Sequence, residues 1–128
     1  VIAAVGLDEK RSSLIRNLSG GQRRRLDVAL GIIGNPELLF LDEPTTGLDP
    51  IIKRAIHQLI KETHEKFGFT AVIVSHEIPE IFDIAQHAAM LYRGEILQAG
   101  TAEEIRASDH PVVRQFISGS LDGPIRLV

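Results

Sequence analysis

Two short runs of consecutive apolar residues, 38–41 and 71–74, flank a longer segment in which apolar residues recur at helical spacing. Short runs that are apolar at every position are typical of strands buried on both faces in a parallel sheet covered by helices. The segment between them is predicted to begin at Pro50, with Asp49 as its N-cap, and to end before Gly68. Its apolar stripe consists of Ile52, Ala55, Ile56, Leu59, Ile60 and Phe67. The order strand, helix, strand predicts a right-handed βαβ unit.

Helical patterns precede this unit. Residues 1–6 have a helical pattern that ends near Gly6 and is followed by a polar loop. A second helix is predicted to begin at Ser19 and to stop at residues 34–36, Gly-Asn-Pro. The apolar face of the second helix is predicted to consist of Leu26, Ala29, Leu30 and Ile33.

Shorter elements are predicted behind the βαβ unit. A helix comes first, followed by a hairpin over residues 90–97 that turns at Arg93-Gly94. Thr101 then opens another helix as the first residue of a capping box, and residues 109–128 form a tail with a weaker pattern. The inward residues of the first of these helices are predicted to be Ile78, Ile81, Phe82 and Ala85. The chain as a whole is predicted to be α/β, with a helical piece in front and a tail behind.

Composition limits the possible classes of function. The 128 residues carry a net charge of −3, which disfavours a general affinity for nucleic acid or anionic lipid. Cysteine is absent, so disulfides and thiolate metal sites are excluded. No apolar run approaches the roughly 20 residues that span a bilayer, and the N-terminus has no signal-peptide layout. We therefore expect a soluble, cytosolic protein.

Two adjacent carboxylates, Asp42 and Glu43, follow the first apolar run, and open α/β sheets place their ligand sites at this end of a strand. Successive side chains leave a strand on opposite sides, so the two carboxylates suit different tasks. One of them suits Mg²⁺, which needs oxygen ligands and retains much of its water shell. The other suits the polarisation of a water molecule that attacks a phosphate. The alternative is an ordinary turn, for which Asp-Glu-Pro is favourable.

Residues 19–22, Ser-Gly-Gly-Gln, satisfy a capping box and therefore predict at least a well-capped helix. The two glycines indicate more, because each costs about 1 kcal/mol of helix propensity relative to Ala. Gly20 and Gly21 leave backbone N–H groups open to an anion at the positive end of the helix dipole. The three arginines at 23–25 add positive charge there, although a solvated helix face is the better explanation for at least two of them.

His76 ends the second apolar strand at a place that corresponds to Asp42 on the first, so both side chains can reach one site. A histidine there suits a hydrogen bond to a γ-phosphate oxygen. A lone histidine is nevertheless more often structural. His57 and His64 lie seven residues apart on the crossover helix, and they are predicted to be surface residues because no third metal ligand is nearby.

A phosphate-wrapping loop is missing from this set of features. No Gly-x-x-x-x-Gly-Lys-Ser/Thr segment occurs in the 128 residues, and none of the lysines follows a glycine. The anion-binding segment and the carboxylate pair still indicate ATP hydrolysis. We therefore expect part of an ATPase, with weak or no ATP binding by this chain by itself.

In order and spacing, these segments resemble the nucleotide-binding subunits of ABC ATPases, over residues 1 to about 107. Residues 18–22 resemble the ABC signature, and residues 38–43 resemble the Walker B strand with its catalytic glutamate. Residues 46–50 are similar to the D-loop, and His76 is similar to the switch histidine.

The resemblance implies a fold and a set of domains. Residues 36–107 would be part of the P-loop NTPase (RecA-like) parallel sheet, residues 1–35 the end of the ABC helical subdomain with the signature, and residues 108–128 a C-terminal tail. ATP and Mg²⁺ are the implied cofactors. Asp42 would position Mg²⁺, Glu43 would act as the base on the attacking water, and His76 would contact the γ-phosphate.

The resemblance also implies partners. Two such ATPase subunits would pair head to tail, and Ser19, Gly20, Gly21 and Gln22 would meet the nucleotide held by the opposite subunit. Asp49 would communicate across that dimer. Transmembrane permease subunits would be further partners, which implies a cytoplasmic location on the inner face of the cell membrane, and no nucleic acid is expected.

A narrower resemblance comes from the tail. Residues 113–119, followed by 122–125 (Asp-Gly-Pro-Ile), resemble the tail of Mla/Mce-type ATPases, which power phospholipid trafficking across the Gram-negative envelope. This implies phospholipid as the transported substrate and an Mce-type substrate-binding protein as a possible partner.

Two other functions stay open. The chain could be a catalytically inactive stand-alone fragment that acts as an interaction module on the dimer face of a full subunit. It could also be part of a non-transport ABC ATPase in DNA repair or translation, which the net charge of −3 and the aromatic content of 5% disfavour.

Overall fold

The computed structural model describes residues 19–126 of the chain. The predicted helix over residues 1–6 lies outside the described residues. The chain divides into two compact units, Val1–Glu77 and Ile78–Val128. The described elements of the first unit are α1 (Gly20–Ile32), β1 (Leu38–Asp42), α2 (Pro50–Phe67) and β2 (Thr70–Val74). Those of the second are a 3₁₀ helix (Glu80–Asp83), β3 (His87–Tyr92), β4 (Glu95–Thr101), α3 (Ala102–Arg106) and α4 (Pro111–Ser118).

The first unit contains the predicted βαβ arrangement. Strands β1 and β2 pair in parallel, with Leu38 opposite Thr70 and Asp42 opposite Val74. Helix α2 connects them and begins and ends as predicted. The side chain of Asp49 accepts hydrogen bonds from the first turn, and Gly68 ends the helix in the left-handed conformation with φ of 72°.

One face of this sheet carries the core of the unit. Ile32 from α1, Leu39 from β1 and Phe69 before β2 are buried together. The end of α1 lies very close to the sheet, because a Cβ atom added at Gly31 would be 2.7 Å from Cδ1 of Leu39. Around these residues pack the partly buried side chains of Leu41, Phe67 and Ala71.

The expectation that both faces of the strands are buried is wrong for the part of the chain that the structure describes. Phe40 is 70% exposed and Val74 55% exposed, and Leu38 and Val72 are exposed beside them. These side chains alternate with the buried ones, as the two-residue period of a strand requires. Among the described residues of the first unit, 19–77, no helix buries the side chains of this second face.

The buried face of α1 also differs from the predicted one. Val28, Ala29 and Ile32 are buried, whereas Leu30 and Ile33 are 59% and 70% exposed. The helix is turned so that Gly31, which has no side chain, faces Leu39 and permits the close approach of α1 to the sheet. The pattern of apolar side chains did not predict this face, because Gly31 makes its contact with Leu39 without a side chain.

In the second unit the predicted hairpin is confirmed. Strands β3 and β4 are antiparallel and are joined at Arg93 and Gly94, whose φ angles are 50° and 82°. Positive φ at both central residues matches the right-handed twist of the strands. Thr101 caps α3 by accepting a hydrogen bond from the amide of Glu104, as predicted.

Two predictions for this unit need correction. The helix predicted around Ile81 and Phe82 is a four-residue 3₁₀ helix, because the chain must already be extended at His87 and one turn suffices to bury both side chains. The predicted tail contains α4, with His110 as N-cap and Gly119 as left-handed C-cap. Within residues 19–126, no helix is long and apolar enough to cross a membrane.

Candidate functional site

The candidate site lies where β1 and β2 end, because parallel strands end at the same edge of a sheet. Asp42 is the last residue of β1, and His76 follows β2 by two residues. Glu43 comes directly after β1, and its amide donates a hydrogen bond to the carbonyl of Val74 at 2.8 Å. Glu43 has φ of 48°, which is rare for a residue other than glycine and turns the chain away from the strand direction at this point.

The side chains of Glu43 and His76 are in direct contact. Nδ1 of His76 lies 2.8 Å from Oε1 of Glu43. The other carboxylate oxygen of Glu43 accepts a hydrogen bond from the hydroxyl of Thr46 at 3.1 Å. Both oxygens of the carboxylate are therefore oriented by partners on the two loops that follow the strands.

This contact changes the acidity of both groups. The hydrogen bond from His76 lowers the pKa of Glu43 below its ordinary value; burial opposes this shift, and the hydrogen bond from Thr46 adds to it. The hydrogen bond and the charge of Glu43 raise the pKa of His76. The pair thus favours a carboxylate beside an imidazolium when no other ligand is present.

A second group of polar side chains, which the sequence analysis missed, connects the same two loops with α2. The hydroxyl of Thr45 donates to Oε2 of Glu77 at 2.8 Å, and Nζ of Lys53 lies 3.0 Å from the same oxygen. One signal was available, because Lys53 lies three residues before Ile56 on the apolar side of α2. A lysine in such a place needs an acidic partner.

The carboxylate of Glu77 stays ionised in this setting. Burial raises its pKa, but the hydrogen bonds from Thr45 and Lys53 and the charge of Lys53 together outweigh burial, so the net pKa is lowered. We therefore treat Glu77 as a charged residue in a largely buried place.

The signature segment lies at the N-terminus of α1. Ser19 and Gln22 form the predicted capping box: Oγ of Ser19 accepts from the amide of Gln22 at 3.1 Å, and Oε1 of Gln22 accepts from the amide of Ser19 at 2.9 Å. Both side chains use acceptor atoms for the cap. The hydroxyl proton of Ser19 and the amide NH₂ of Gln22 are donors that the cap does not need.

The two glycines of this segment differ in their surroundings. A Cβ atom at Gly21 would lie 2.8 Å from Cγ2 of Ile52 on α2, whereas one at Gly20 would lie 3.6 Å from Leu48. Gly21 is thus required by the packing of α1 on α2. The amides of both glycines belong to the first turn of α1, where a helix offers its N–H groups no carbonyl partner.

A further hydrogen bond joins α1 to the loop between β1 and α2. Nη2 of Arg24 donates to the carbonyl oxygen of Thr46 at 3.2 Å. The sequence analysis preferred solvated positions for at least two of the three arginines, and Arg24 is partly buried with this partner. The signature segment and the carboxylate site are not linked by hydrogen bonds among residues 19–126. Ser19 and Gln22 bond to each other, and His76 bonds to Glu43.

Asp49 and Asp42 occupy different positions. Oδ1 of Asp49 accepts from the amides of Ile51 and Ile52, both at 3.0 Å, and this carboxylate is therefore the cap of α2. Asp42 is exposed and lines a shallow cleft together with Arg24 and Asp27. Among residues 19–126, no three His, Asp or Glu side chains are grouped so that they could hold a metal ion by themselves.

The prediction that His57 and His64 are surface residues is wrong for His57. Its side chain is 5% exposed on the inner side of α2. His64 is partly buried, and its Nδ1 lies 2.6 Å from the carbonyl oxygen of Phe69. Both residues therefore contribute to the packing of α2 within the first unit.

Comparisons with known proteins agree with this architecture. The family described as ABC transporter matches residues 1–46. The intermembrane phospholipid transport system ATP-binding protein MlaF of Escherichia coli K12 is 40% identical over 124 residues, which are 97% of this chain and 46% of that protein. The methionine import ATP-binding protein MetN 2 of Pectobacterium atrosepticum is 39% identical over 123 residues, 95% of this chain and 36% of that protein.

Solved structures show the same fold. The ADP conformation of MJ1267, an ATP-binding cassette of an ABC transporter, has a TM-score of 0.80 at 22% identity, over 93% of this chain and 47% of that one. The structure of cbiO1 from Clostridium perfringens, part of an ABC transporter complex, has a TM-score of 0.79 at 28% identity, over 89% of this chain and 45% of that one.

The predicted resemblance to ABC transporter ATP-binding subunits is confirmed, and the fold matches part of the ABC ATP-binding cassettes. The particular relatives are ATP-binding proteins of intermembrane phospholipid transport and of methionine import. The chain spans about half the length of the phospholipid-transport relatives that it matches.

Proposed function

We propose that this chain supplies the catalytic glutamate, the switch histidine and the signature segment of an ATP-hydrolysing ABC transporter subunit. The observation that carries the proposal is the 2.8 Å contact between Glu43 and His76 at the carboxyl ends of two parallel strands. A carboxylate that is ionised and oriented at this place suits a base, and the neighbouring imidazole suits a γ-phosphate oxygen.

ATP and Mg²⁺ are the proposed ligands of this site. The donor set fits Mg²⁺ bound together with nucleotide, because this ion is usually held by one or two carboxylates, several waters and the substrate phosphates. Asp42 is exposed at the strand end and would supply such a carboxylate. When bound, the metal–nucleotide complex would supply the phosphoryl group that is transferred to water, and Glu43 would accept the proton of that water.

The signature segment is proposed to meet a nucleotide held by a second subunit in a head-to-tail dimer. Its fit to an anion rests on the donors that the capping box leaves over: the Ser19 hydroxyl, the Gln22 amide and the first-turn N–H groups of Gly20 and Gly21. We assign Asp49 to communication across this dimer, next to its role as cap of α2. Residues 1–35, 36–107 and 108–128 keep their proposed assignments as helical subdomain, RecA-like core and tail.

Phospholipid is the proposed transported substrate. The MlaF relatives at 40% and 38% identity and the tail pattern support it. Methionine is the second candidate, because methionine import proteins are 39% and 38% identical. Under either substrate, the chain would work with transmembrane permease subunits at the cytoplasmic face of the cell membrane, and with an Mce-type substrate-binding protein in the phospholipid case.

The test of catalysis is Glu43→Gln in the native protein that contains this chain. ATP turnover should be abolished while ATP binding is retained, because the substitution removes the proton acceptor and keeps the shape of the side chain. Glu65→Gln, at an exposed position of α2, is the matched control and should hydrolyse ATP normally. Normal turnover by Glu43→Gln would refute the role of Glu43 as the base.

The substrate and the alternative functions need a separate measurement. The native complex, reconstituted in vesicles, should move a labelled phospholipid in an ATP-dependent manner and should leave labelled methionine untouched. Movement of methionine instead would transfer the assignment to amino-acid import. A complex that assembles through this chain without any ATP turnover would favour the non-catalytic interaction module.

A further inference from the structure

Two side chains outside the proposed catalytic set, Thr45 and Lys53, converge on one carboxylate oxygen of Glu77. Oε2 of Glu77 accepts a hydrogen bond from the hydroxyl of Thr45 at 2.8 Å and lies 3.0 Å from Nζ of Lys53. Thr45 is 1% exposed, and the side chains of Glu77 and Lys53 are 10% and 21% exposed. A charged group buried to this extent must be paired, and this one is paired twice.

The three residues belong to the three segments that meet at the candidate site. Thr45 lies on the loop after β1, two residues beyond Glu43, while Glu77 directly follows His76 in the loop after β2. Lys53 lies in the first turns of α2. The contacts therefore connect the loop that carries the carboxylate with the loop that carries the imidazole, and connect both with the crossover helix.

The backbone of Glu77 is fixed as well as its side chain. Its amide donates to Oγ of Ser75 at 3.1 Å. Since both ends of Glu77 are fixed, the peptide unit that links it to His76 has little freedom to turn. The direction in which the imidazole leaves the backbone depends on that peptide unit, and so does its distance from Glu43.

Stability by itself is a weak reason for such a group. A buried ion pair often adds no more stability than apolar side chains of similar volume, because both charges lose their hydration. Helix α2 is already anchored by Ile56, Leu59 and Ile60, which are buried nearby in sequence. What charged and hydroxyl partners add is direction, because hydrogen bonds weaken steeply when their angles change.

We propose that Thr45, Lys53 and Glu77 form a positioning network that holds His76 against Glu43. The expected effect of the network on ATP turnover rests on the proposed function. Its expected effect on the position of His76 rests on the geometry alone. Thr45, Lys53 and Glu77 act through other residues and are positioning residues.

The first readout is the position of His76 without nucleotide. We would record the NMR resonances of the His76 ring in the native protein, assigned with His76→Ala, and compare Thr45→Val with the parent. Valine keeps the shape of threonine and removes the hydroxyl that donates a hydrogen bond to Glu77. The His76 resonances should move toward those found in Glu43→Ala, where the contact partner is absent. Resonances identical with those of the parent would overturn the proposal.

Two matched variants separate positioning from general destabilisation. Thr45→Ser keeps the hydroxyl and should retain the parental His76 resonances. Thr63→Val makes the same substitution at a threonine that is 2% exposed on α2 and bonds to the carbonyls of Leu59 and Ile60. It should lower thermal stability and leave His76 unchanged. If Thr63→Val moved the His76 resonances as far as Thr45→Val does, the effect would be general and the proposal would fail.

The second readout is ATP turnover. Thr45→Val should lower kcat by about tenfold to a hundredfold with the KM for ATP unchanged, since small misplacements of catalytic groups have effects of this order. Should Thr45→Val fail to fold, Glu77→Gln is the second variant; it keeps the acceptor oxygen and should shift His76 and kcat in the same direction by a smaller amount. Parental kcat and His76 resonances in that variant would overturn the network.

Failure of the network and failure of the proposed function give different results. If Glu43→Gln abolishes turnover while Thr45→Val leaves turnover and His76 unchanged, Glu43 is the base and the network is refuted. If Glu43→Gln hydrolyses ATP normally, the proposed function is refuted, and the His76 resonances of Thr45→Val still decide whether the network positions this histidine.

Discussion

The imidazole of His76 lies 2.8 Å from the carboxylate of Glu43, although 33 residues separate them in the chain. Two features produce this contact. Strands β1 and β2 are parallel neighbours and end at the same edge, with Asp42 opposite Val74. Glu43 then takes a left-handed conformation that returns its amide to the carbonyl of Val74. The contact therefore depends on backbone geometry at one residue as much as on the sheet.

The first prediction concerns the protonation of this pair. The pKa of Glu43 is lowered and that of His76 raised, so both are charged between these two values. The contribution of His76 to the free energy of unfolding is fully present below the ordinary histidine pKa and is lost as pH rises through the raised value. That of Glu43 is present above the ordinary carboxyl pKa and is lost as pH falls through the lowered value. In Glu43→Gln, the NMR titration midpoint of His76 should fall. A His76 midpoint unaffected by the substitution would show that the two side chains do not form a charged pair in solution.

The second prediction concerns the packing of α1 on α2. Gly21→Ala should lower the free energy of unfolding by about 1–3 kcal/mol, because the new methyl would lie 2.8 Å from Cγ2 of Ile52. That atom is attached directly to the Cβ of Ile52 and cannot move aside without a change of rotamer. Urea unfolding of the native protein would measure the difference.

Gly20→Ala is the matched control, since its methyl would meet Leu48 at an ordinary contact distance of 3.6 Å. It should leave stability unchanged or raise it by up to about 1 kcal/mol through helix propensity. In the Ile52→Ala background, the atom that the new methyl would meet is absent. Gly21→Ala should therefore lower the free energy of unfolding by less in Ile52→Ala than in the parent. Equal stabilities of the two single glycine variants would mean that α1 does not pack on α2 as described.

The third prediction concerns the hydrogen bond between Arg24 and the carbonyl of Thr46. Arg24→Ala should speed hydrogen exchange in the loop after β1, where the amides of Thr46 and Leu48 make long bonds of 3.3 Å. The free energy of unfolding should fall by about 1 kcal/mol, as for one partly exposed hydrogen bond. Arg54→Ala, at an exposed position of α2, should alter neither quantity. Unchanged exchange at Thr46 in Arg24→Ala would contradict the assigned contact.

Much of the first unit was predictable because its signals are local. The N-cap at Asp49, the capping box of Ser19 with Gln22 and the stop at Gly68 depend on a few adjacent residues, and all three are found. The approach of His76 to the end of β1 followed from the parallel order of the strands. That Glu43 is the direct contact of His76 did not follow, because it requires the left-handed backbone at Glu43.

The missed features are those made by residues distant in sequence. Thr45, Lys53 and Glu77 carry no motif, and their meeting appears only when the loops and α2 are assembled. The exposure of one sheet face, which carries Phe40 and Val74, was missed for a different reason. An apolar run shows that a strand is suited to burial on both faces, but it does not show which elements supply the cover.

The last prediction concerns Gln115, a buried amide on α4 that organises the segment after the helix. Its Nε2 donates to the carbonyls of Ser120 and Ile125 at 3.2 and 2.9 Å, and its Oε1 accepts from the amide of Ile125 at 2.6 Å. Gln115→Glu should lower the free energy of unfolding by about 1–3 kcal/mol, because a carboxylate cannot donate to these carbonyls and would repel them. Hydrogen exchange at Ile125 should accelerate in the same variant. Arg114→Ala, exposed on the same helix, is the control and should exchange as the parent does. Parental exchange at Ile125 in Gln115→Glu would show that the segment holds its conformation without the amide.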